Sequence, residues 1–154
     1  MSEQALQDRY APHNQCFGCG PSNDQGLRIK SVVEGEELVC DWTPEPHHQA
    51  FEGVLNGGII GTLLDCHCNW AAAYHLMNAQ GLDTPPCTVT AEYNIKLRRP
   101  TPTDGPVELS AQLVELDGNR ARINGTLTAN GRICATCDGL FVAVEEGHPA
   151  FHRW

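Results

Sequence analysis

The chain has 154 residues, which is enough for one domain with a buried core. Its 19 acidic residues outnumber its 10 lysines and arginines, and the net charge of −9 argues against nucleic acid as the main partner. No apolar run approaches the roughly 18 residues that a membrane span needs, and the opening "MSEQALQDRYAPHNQ" lacks the apolar segment of a signal peptide. We therefore expect a single domain over residues 1–154 that is soluble and cytoplasmic, with no membrane partner.

Residues 1–27 are expected to form a loop extension, because "APHNQCFGCGPSNDQGL" is rich in Gly, Pro, Asn and Cys. The next segments, "LRIKSVV" and "ELVCDWTP", have the composition of strands and flank "EGE", which suits a hairpin turn. At the other end of the chain, residues 145–154 are expected to be irregular.

The stretch from Phe51 to Met77 predicts one long helix, "FEGVLNGGIIGTLLDCHCNWAAAYHLM". Asn56 is suited to the N-cap position, since Asn side chains accept hydrogen bonds from the first turn of a helix. The apolar residues that recur at helical spacing are Ile59, Ile60, Leu63, Leu64, Trp70, Ala71 and Tyr74.

Apolar and polar residues alternate in three segments after this helix, and "ICATCDGLFVAV" predicts a fourth strand. Asp117-Gly118 and Asn130-Gly131 are turn signals between strands. The alternating apolar residues are Val89, Ala91, Tyr93, Ile95 and Leu97, then Val107, Leu109, Ala111 and Leu113, then Ala121, Ile123, Gly125 and Leu127.

Two strands, one helix and four strands predict an α+β fold. The apolar face of an antiparallel sheet needs a cover, and this chain offers only one helix to provide it. We expect one long central helix wrapped by a curved antiparallel sheet of about six strands.

Gly57 and Gly58 open the predicted helix, although each interior Gly costs a helix about 1 kcal/mol relative to Ala. The first N–H groups of a helix have no partner within it, and without side chains a ligand can approach them closely. One interpretation is a site for a carbonyl oxygen that becomes an oxyanion. The other is that the two glycines permit tight packing or a sharp turn.

Asp65 lies beside the apolar stripe, where a carboxylate is costly to bury unless it is hydrogen-bonded or used. It is either a solvated or backbone-bonded residue, or a nucleophile or general base. Eight residues of helix separate it from Gly57 by about 12 Å, so one helix cannot bring both groups to one carbonyl. If both act, the site combines two subunits and the protein is an obligate dimer.

Four segments in this order resemble the hotdog-fold thioesterases, specifically the PaaI-like branch, over nearly the whole chain. "CFGCGPSNDQGLRIKS" resembles the opening of that branch, and "GVLNGGIIGTLLD" its Gly-Gly helix start with an aspartate at the same spacing. "VTAEYNIKLRRPTP" and "GRICATCDGLFVAV" resemble its third and last strands.

The resemblance implies hydrolysis of acyl-CoA thioesters by dimers, often paired into tetramers, without a metal. It implies that the Gly57 N–H polarises the thioester carbonyl, that Asp65 of the partner subunit attacks or activates water, and that Thr90 orients the carboxylate or the water. Thr90 lies between the apolar residues Val89 and Ala91, on the opposite face of the predicted strand. Its position therefore fits a solvated strand residue equally well.

Other candidate binding residues follow from the same resemblance. Asn56 stands where the family usually has His; it retains the capping role but cannot transfer a proton. His48 and Gln49 are candidates for a second polarising group, and Gly58 for a further N–H donor. The candidates for the CoA phosphates belong to a basic cluster, Lys96, Arg98 and Arg99. A solvated strand edge accounts equally well for each of these charges.

Eight cysteines occur in a chain without signs of secretion, which favours thiols or a metal site over disulfides. Cys16 and Cys19 form a CxxC that could hold half of a zinc site. Cys134 and Cys137 are three apart on a predicted strand and should point to opposite faces unless a bulge intervenes. We therefore favour small buried thiols and expect no cofactor, with structural zinc at Cys16 and Cys19 as the alternative.

The first functional hypothesis is an acyl-CoA thioesterase acting through Asp65 and Gly57. The alternative is a non-catalytic acyl-CoA-binding module, which Asn56 and the unusual run "DCHCNW" motivate. In that run, His67 points away from Asp65 around the helix and is interpreted as structural or interfacial. A hydratase or dehydratase ranks last, because it would need a His or Glu base in the pocket.

Overall fold

The computed structural model describes residues 4–154. The elements, in chain order, are α1 (Leu6–Tyr10), β1 (Val32–Glu34), β2 (Glu37–Trp42), a 3-10 turn (Pro46–His48), β3 (Gln49–Phe51), β4 (Val54–Leu55), α2 (Gly57–Gln80), β5 (Thr88–Leu97), β6 (Val107–Asp117), β7 (Arg120–Ala129) and β8 (Arg132–Ala143). None of the helices in this described range is long and apolar enough to cross a membrane.

Six strands form one antiparallel sheet in the order β1-β2-β6-β7-β8-β5, while β3 and β4 form a separate hairpin. The helix α2 contacts β2, β5, β6, β7 and β8. The expected α+β architecture, with one long helix packed on a sheet of six strands, is therefore confirmed.

The N-terminal segment differs from the expected loop. It contains α1, and its buried residues Leu6, Cys19, Leu27 and Ile29 belong to the same core as α2 and the sheet. The first strand begins only at Val32, because the backbone before it bonds elsewhere. Leu27 N donates to Phe17 O at 2.7 Å and Ile29 N to Gly18 O at 3.1 Å.

Asn56 caps α2 as predicted: its Oδ1 accepts from Ile59 N at 3.1 Å. Gly81 ends the helix in a left-handed conformation, with φ of 66°. The side of α2 toward the sheet packs closely, since a Cβ at Gly125 of β7 would lie 2.5 Å from Cys68 Sγ. Cys68 therefore faces the sheet.

The other side of α2 packs on the N-terminal segment. His67 is fully buried there, with Nδ1 2.8 Å from Ser31 Oγ and Nε2 donating to the Leu38 carbonyl at 2.9 Å. Gln7 Nε2 also donates to Ser31 Oγ at 2.8 Å. The interpretation of His67 as a structural residue agrees with these contacts.

Cys134 and Cys137 do not follow the expected alternation, and both are buried. The register of β7 against β8 shifts between Leu127 and Thr128, which leaves Cys134 unpaired opposite that step. Such a bulge changes which face a side chain points to. The bulge is the exception that the sequence analysis allowed, so simple strand alternation does not apply to these two thiols.

Candidate active site

Asp65 and Thr90 meet where α2 crosses the start of β5. Thr90 Oγ1 donates to Asp65 Oδ1 at 2.6 Å, although the residues lie on different elements. Both side chains are half-buried. Thr90 therefore points toward the helix and is not a solvated strand residue.

A bulge in β5 follows this contact. The pairing of β5 with β8 shifts between Thr90 and Glu92, so Ala91 has no partner in the register. Two of the apolar residues beyond the bulge are exposed, Tyr93 by 47% and Leu97 by 59%. The physical reason is that β5 is the last strand of the sheet, so no strand among residues 4–154 pairs with its free edge.

The Asp65 carboxyl group is in an environment that opposes ionisation. Burial raises its pKa, whereas the hydrogen bond from Thr90 lowers it. The charge of Cys16 also raises the Asp65 pKa, and that of Arg153 lowers it. A half-buried carboxylate held by one donor is suited to accept a proton or to attack an electrophile.

Gly57 and Gly58 begin α2, at the opposite end of β5 from Thr90. A Cβ at Gly57 would lie 3.4 Å from Leu97 Cδ1, and a Cβ at Gly58 would lie 2.9 Å from the capping Asn56 Oδ1. Gly57 is the first residue of the helix, so its N–H has no acceptor within the helix. Asp65 lies eight residues further along, so this chain does not bring the two groups together.

The loop before α2 lies next to the helix start. Asn56 N donates to His48 O at 3.0 Å. The His48 ring is buried and accepts from Glu45 N at 2.9 Å, and Gln49 Oε1 accepts from Gly53 N at 3.3 Å. Both side chains therefore have bonds that stabilise the loop itself.

The basic cluster lies away from Asp65. Lys96 and Arg98 line a hollow of about 350 Å³ with Asn94, Asn124, Thr126, Thr136 and Asp138, on the face of the sheet opposite α2. Arg99 is exposed, and its N–H donates to Cys134 O at 3.2 Å. Lys30, a cation just before β1, pairs with Asp8 at 2.7 Å.

Sequence reasoning missed the C-terminal tail as a part of this region. Arg153 Nη1 donates to Thr88 O at 2.8 Å, and its charge acts on Asp65. Trp154 stacks on Trp70 of α2, with ring centroids 4.4 Å apart. The sequence signal that the tail packs on the domain was the pair of large aromatic residues in "FHRW", because such side chains are usually buried at least in part.

It also missed Cys66, which joins Cys16 and Cys19 beside Asp65. Cys16 Sγ and Cys66 Sγ are 3.8 Å apart, and the three Sγ atoms lie within 4.8 Å of one another. Hydrogen bonds from the other two thiols hold the pKa of Cys16 far below its usual range, and the same sharing raises the pKa of Cys19 to about 11. His13 is exposed and does not belong to this cluster.

Comparison with known proteins agrees with this fold. The thioesterase superfamily pattern matches residues 52–135, which is just over half of the chain and includes Gly57, Asp65 and Thr90. A thioesterase superfamily protein from Shewanella loihica PV-4 is 28% identical, with a TM-score of 0.70 over 90% of this chain and 99% of that one. A phenylacetic acid degradation-related protein from Ralstonia eutropha JMP134 is 19% identical, with a TM-score of 0.64 over 76% of this chain and 86% of that one.

One long helix on this antiparallel sheet is the hotdog fold, and the chain belongs to the thioesterase superfamily. It is also similar to the acyl-coenzyme A thioesterase THEM4 of Bos taurus, at 24% identity over 128 residues. The match covers 79% of this chain and 49% of THEM4, so this chain spans about half the length of that relative.

Proposed function

We propose that this protein is an acyl-CoA thioesterase of the PaaI-like kind, in which Asp65 is the nucleophile or the general base. The observation that supports this most directly is the 2.6 Å hydrogen bond from Thr90 to a half-buried Asp65. The similarity to THEM4 supports an acyl-CoA substrate. In the reaction, water supplies the oxygen of the free acid, the C–S bond breaks, and CoA leaves as a thiol.

The second half of the proposal is that the N–H of Gly57 from a partner subunit polarises the carbonyl. The two halves of the site lie at opposite ends of β5: Asp65 bonds to Thr90 near its start, and Gly57 lies beside Leu97 at its end. If two copies of β5 pair antiparallel about an axis between Tyr93 and Asn94, each Thr90 lies opposite the partner's Leu97. That pairing brings Asp65 toward the partner's Gly57.

The edge of the sheet supports such an assembly. β5 is ten residues long, and within the described part of the chain it has a neighbour, β8, on one side only. An unpaired strand of this length with exposed Tyr93 and Leu97 is a template for pairing with another chain. We therefore propose a homodimer as the functional unit; pairing of dimers into tetramers is the further possibility that the family resemblance implies.

The test is hydrolysis of a panel of acyl-CoAs by wild type and by Asp65→Asn, followed as released thiol. Because a positioned acid or base contributes about 10²- to 10⁴-fold, we expect kcat to fall by at least about 100-fold. Asp117→Asn is the matched control, because Asp117 is exposed at a hairpin turn, and it should keep the wild-type rate.

Equal rates for wild type and Asp65→Asn would refute the mechanism. Thermal stabilisation by CoA without turnover in the wild type would instead support the alternative, a non-catalytic acyl-CoA-binding module.

A further inference from the structure

The thiols of Cys16, Cys19 and Cys66 come from two parts of the chain that only folding brings together. The CxxC pair lies in the N-terminal segment, and Cys66 lies on α2 directly after Asp65. Zinc binds thiolates at about 2.3 Å in a tetrahedron, so two sulfur ligands of one ion stand about 3.8 Å apart. The distance from Cys16 Sγ to Cys66 Sγ is 3.8 Å, which fits two ligands of one ion and is far too long for a disulfide.

The N-terminal segment is shaped for this approach. A Cβ at Gly18 would lie 2.4 Å from Cys66 Sγ and 2.8 Å from Thr62 Cγ2, so any larger residue would push the loop away from the helix. A Cβ at Gly20 would lie 2.4 Å from Cys16 N. Glycine at both positions therefore allows the CxxC loop to close on itself and to touch α2.

The indole of Trp70 lies beside this cluster of sulfur atoms. Its indole N–H is directed toward the sulfur of Cys19. Trp70 is 1% exposed, and among residues 4–154 its Nε1 has no hydrogen-bond partner at normal distance. A buried unpaired donor is costly, and a negatively charged sulfur beside it would reduce that cost.

We propose that Cys16, Cys19 and Cys66 bind one soft divalent metal ion, and that zinc is the ion their chemistry favours. The three thiolates occupy three positions of a tetrahedron. The fourth position is open to water or to another small ligand, since Cys16 and Cys66 are partly exposed. The ion would join the N-terminal segment to the turn of α2 that carries Asp65.

The test is metal content and affinity in protein purified under reducing conditions and dialysed against zinc. We expect about one zinc per chain in the wild type and at least about a 100-fold weaker affinity in Cys66→Ser, since a ligand is lost. Cys87→Ser is the matched control: Cys87 is also a partly exposed thiol, but it lies outside the cluster, and the variant should bind zinc like the wild type.

Cobalt titration of the wild type keeps the proposal testable if Cys66→Ser fails to fold. Bound Co²⁺ should show a thiolate charge-transfer absorption of the intensity expected for three sulfur ligands. Absence of metal uptake by the reduced wild type, equal zinc affinity in a folded Cys66→Ser, or fewer than three thiolates on cobalt would each overturn the proposal. None of these readouts depends on thioesterase activity.

Discussion

Thr90 holds Asp65 through one short hydrogen bond, and that bond defines how the carboxylate points. Thr90→Val removes the donor but preserves the shape of the side chain. A hydrogen bond to a charged group contributes about 1.5–3 kcal/mol, so kcat should fall roughly 10- to 100-fold while KM changes little. Steady-state kinetics on an acyl-CoA would measure the two constants separately.

Thr90→Ser is the control for this prediction, because Ser retains the hydroxyl that donates to Asp65. It should keep kcat within about threefold of wild type. If the Val variant is as active as the Ser variant, the hydrogen bond does not position the carboxylate.

His67 makes the stability of the protein depend on pH. Burial lowers its pKa from 6.5 to about 4, and the neutral ring is bonded to Ser31 and Leu38. Below pH 6.5 the unfolded chain binds a proton that the folded chain does not bind until about pH 4. Stability is therefore fully present above pH 6.5 and decreases as the pH falls toward 4, by roughly 3 kcal/mol in all.

The measurement is urea unfolding at several pH values for wild type and His67→Gln. The difference in unfolding free energy between the two proteins should shrink as the pH falls through this window. A difference that stays constant would show that His67 does not titrate on unfolding.

At the scale of elements, two glycines of α2 differ in what a side chain would meet there. Gly58 lies next to the capping Asn56, and Gly61 lies one turn further along. Gly61 is interior to the helix, and a Cβ there would meet nothing within 4 Å. Gly61→Ala should therefore raise the unfolding free energy by about 1 kcal/mol, since Ala is the better helix former. Gly58→Ala should give no such gain, because its Cβ would displace Asn56 Oδ1 and weaken a cap of similar value.

Urea unfolding of the two variants side by side measures this difference. If Gly58→Ala stabilises as much as Gly61→Ala does, the cap at Asn56 contributes little to the folded state.

The elements that the sequence predicted are those with a strong local signal. The sequence correctly predicted the alternation in β6 and β7 and the apolar stripe of α2. These strands and this helix bury their apolar residues against one another within one chain. The helix α1 and the hairpin of β3 and β4 were not expected, since they are too short to show a period. In β5 the bulge at Ala91 interrupts the alternation, and Tyr93 and Leu97 beyond it are exposed on an edge strand. A local pattern cannot tell an open edge from a covered one.

The same limit applied to the site. Asp65, Gly57 and Asn56 could be proposed from one continuous stretch, because the chemistry of a helix start is local. The approach of Cys66 to Cys16 depends on how the N-terminal segment folds over α2, and Arg153 reaches the site from the far end of the chain. No spacing in the sequence encodes either contact.

At the scale of the whole molecule, the proposed site needs two copies, and this can be tested by mixing two inactive variants. Gly57→Pro removes the N–H that would polarise the carbonyl. Pro is well tolerated at the first position of a helix, and Asn56 already has the extended backbone, with ψ of 135°, that a following Pro requires. Gly57→Ala, which keeps the N–H, is its control and should remain active.

In a heterodimer of Asp65→Asn with Gly57→Pro, one site has both defects and the other has neither. Random mixing should therefore restore about a quarter of the wild-type rate per chain, from two proteins that are inactive alone. If the mixture stays inactive although subunits exchange, the Asp65 carboxylate of one subunit and the Gly57 N–H of the other do not form one active site. Light scattering of the mixture would verify that dimers are present.

The close approach between β7 and α2 restricts how this sequence can change over evolutionary time. A methyl group added at Gly125 would overlap the sulfur of Cys68, so neither position can grow alone without moving a strand away from the helix. The two residues share a fixed volume despite their distance along the chain. Homologues that carry Ala or Ser at the first position are therefore expected to carry a smaller residue at the second, and the pair should vary together in descendants of this protein.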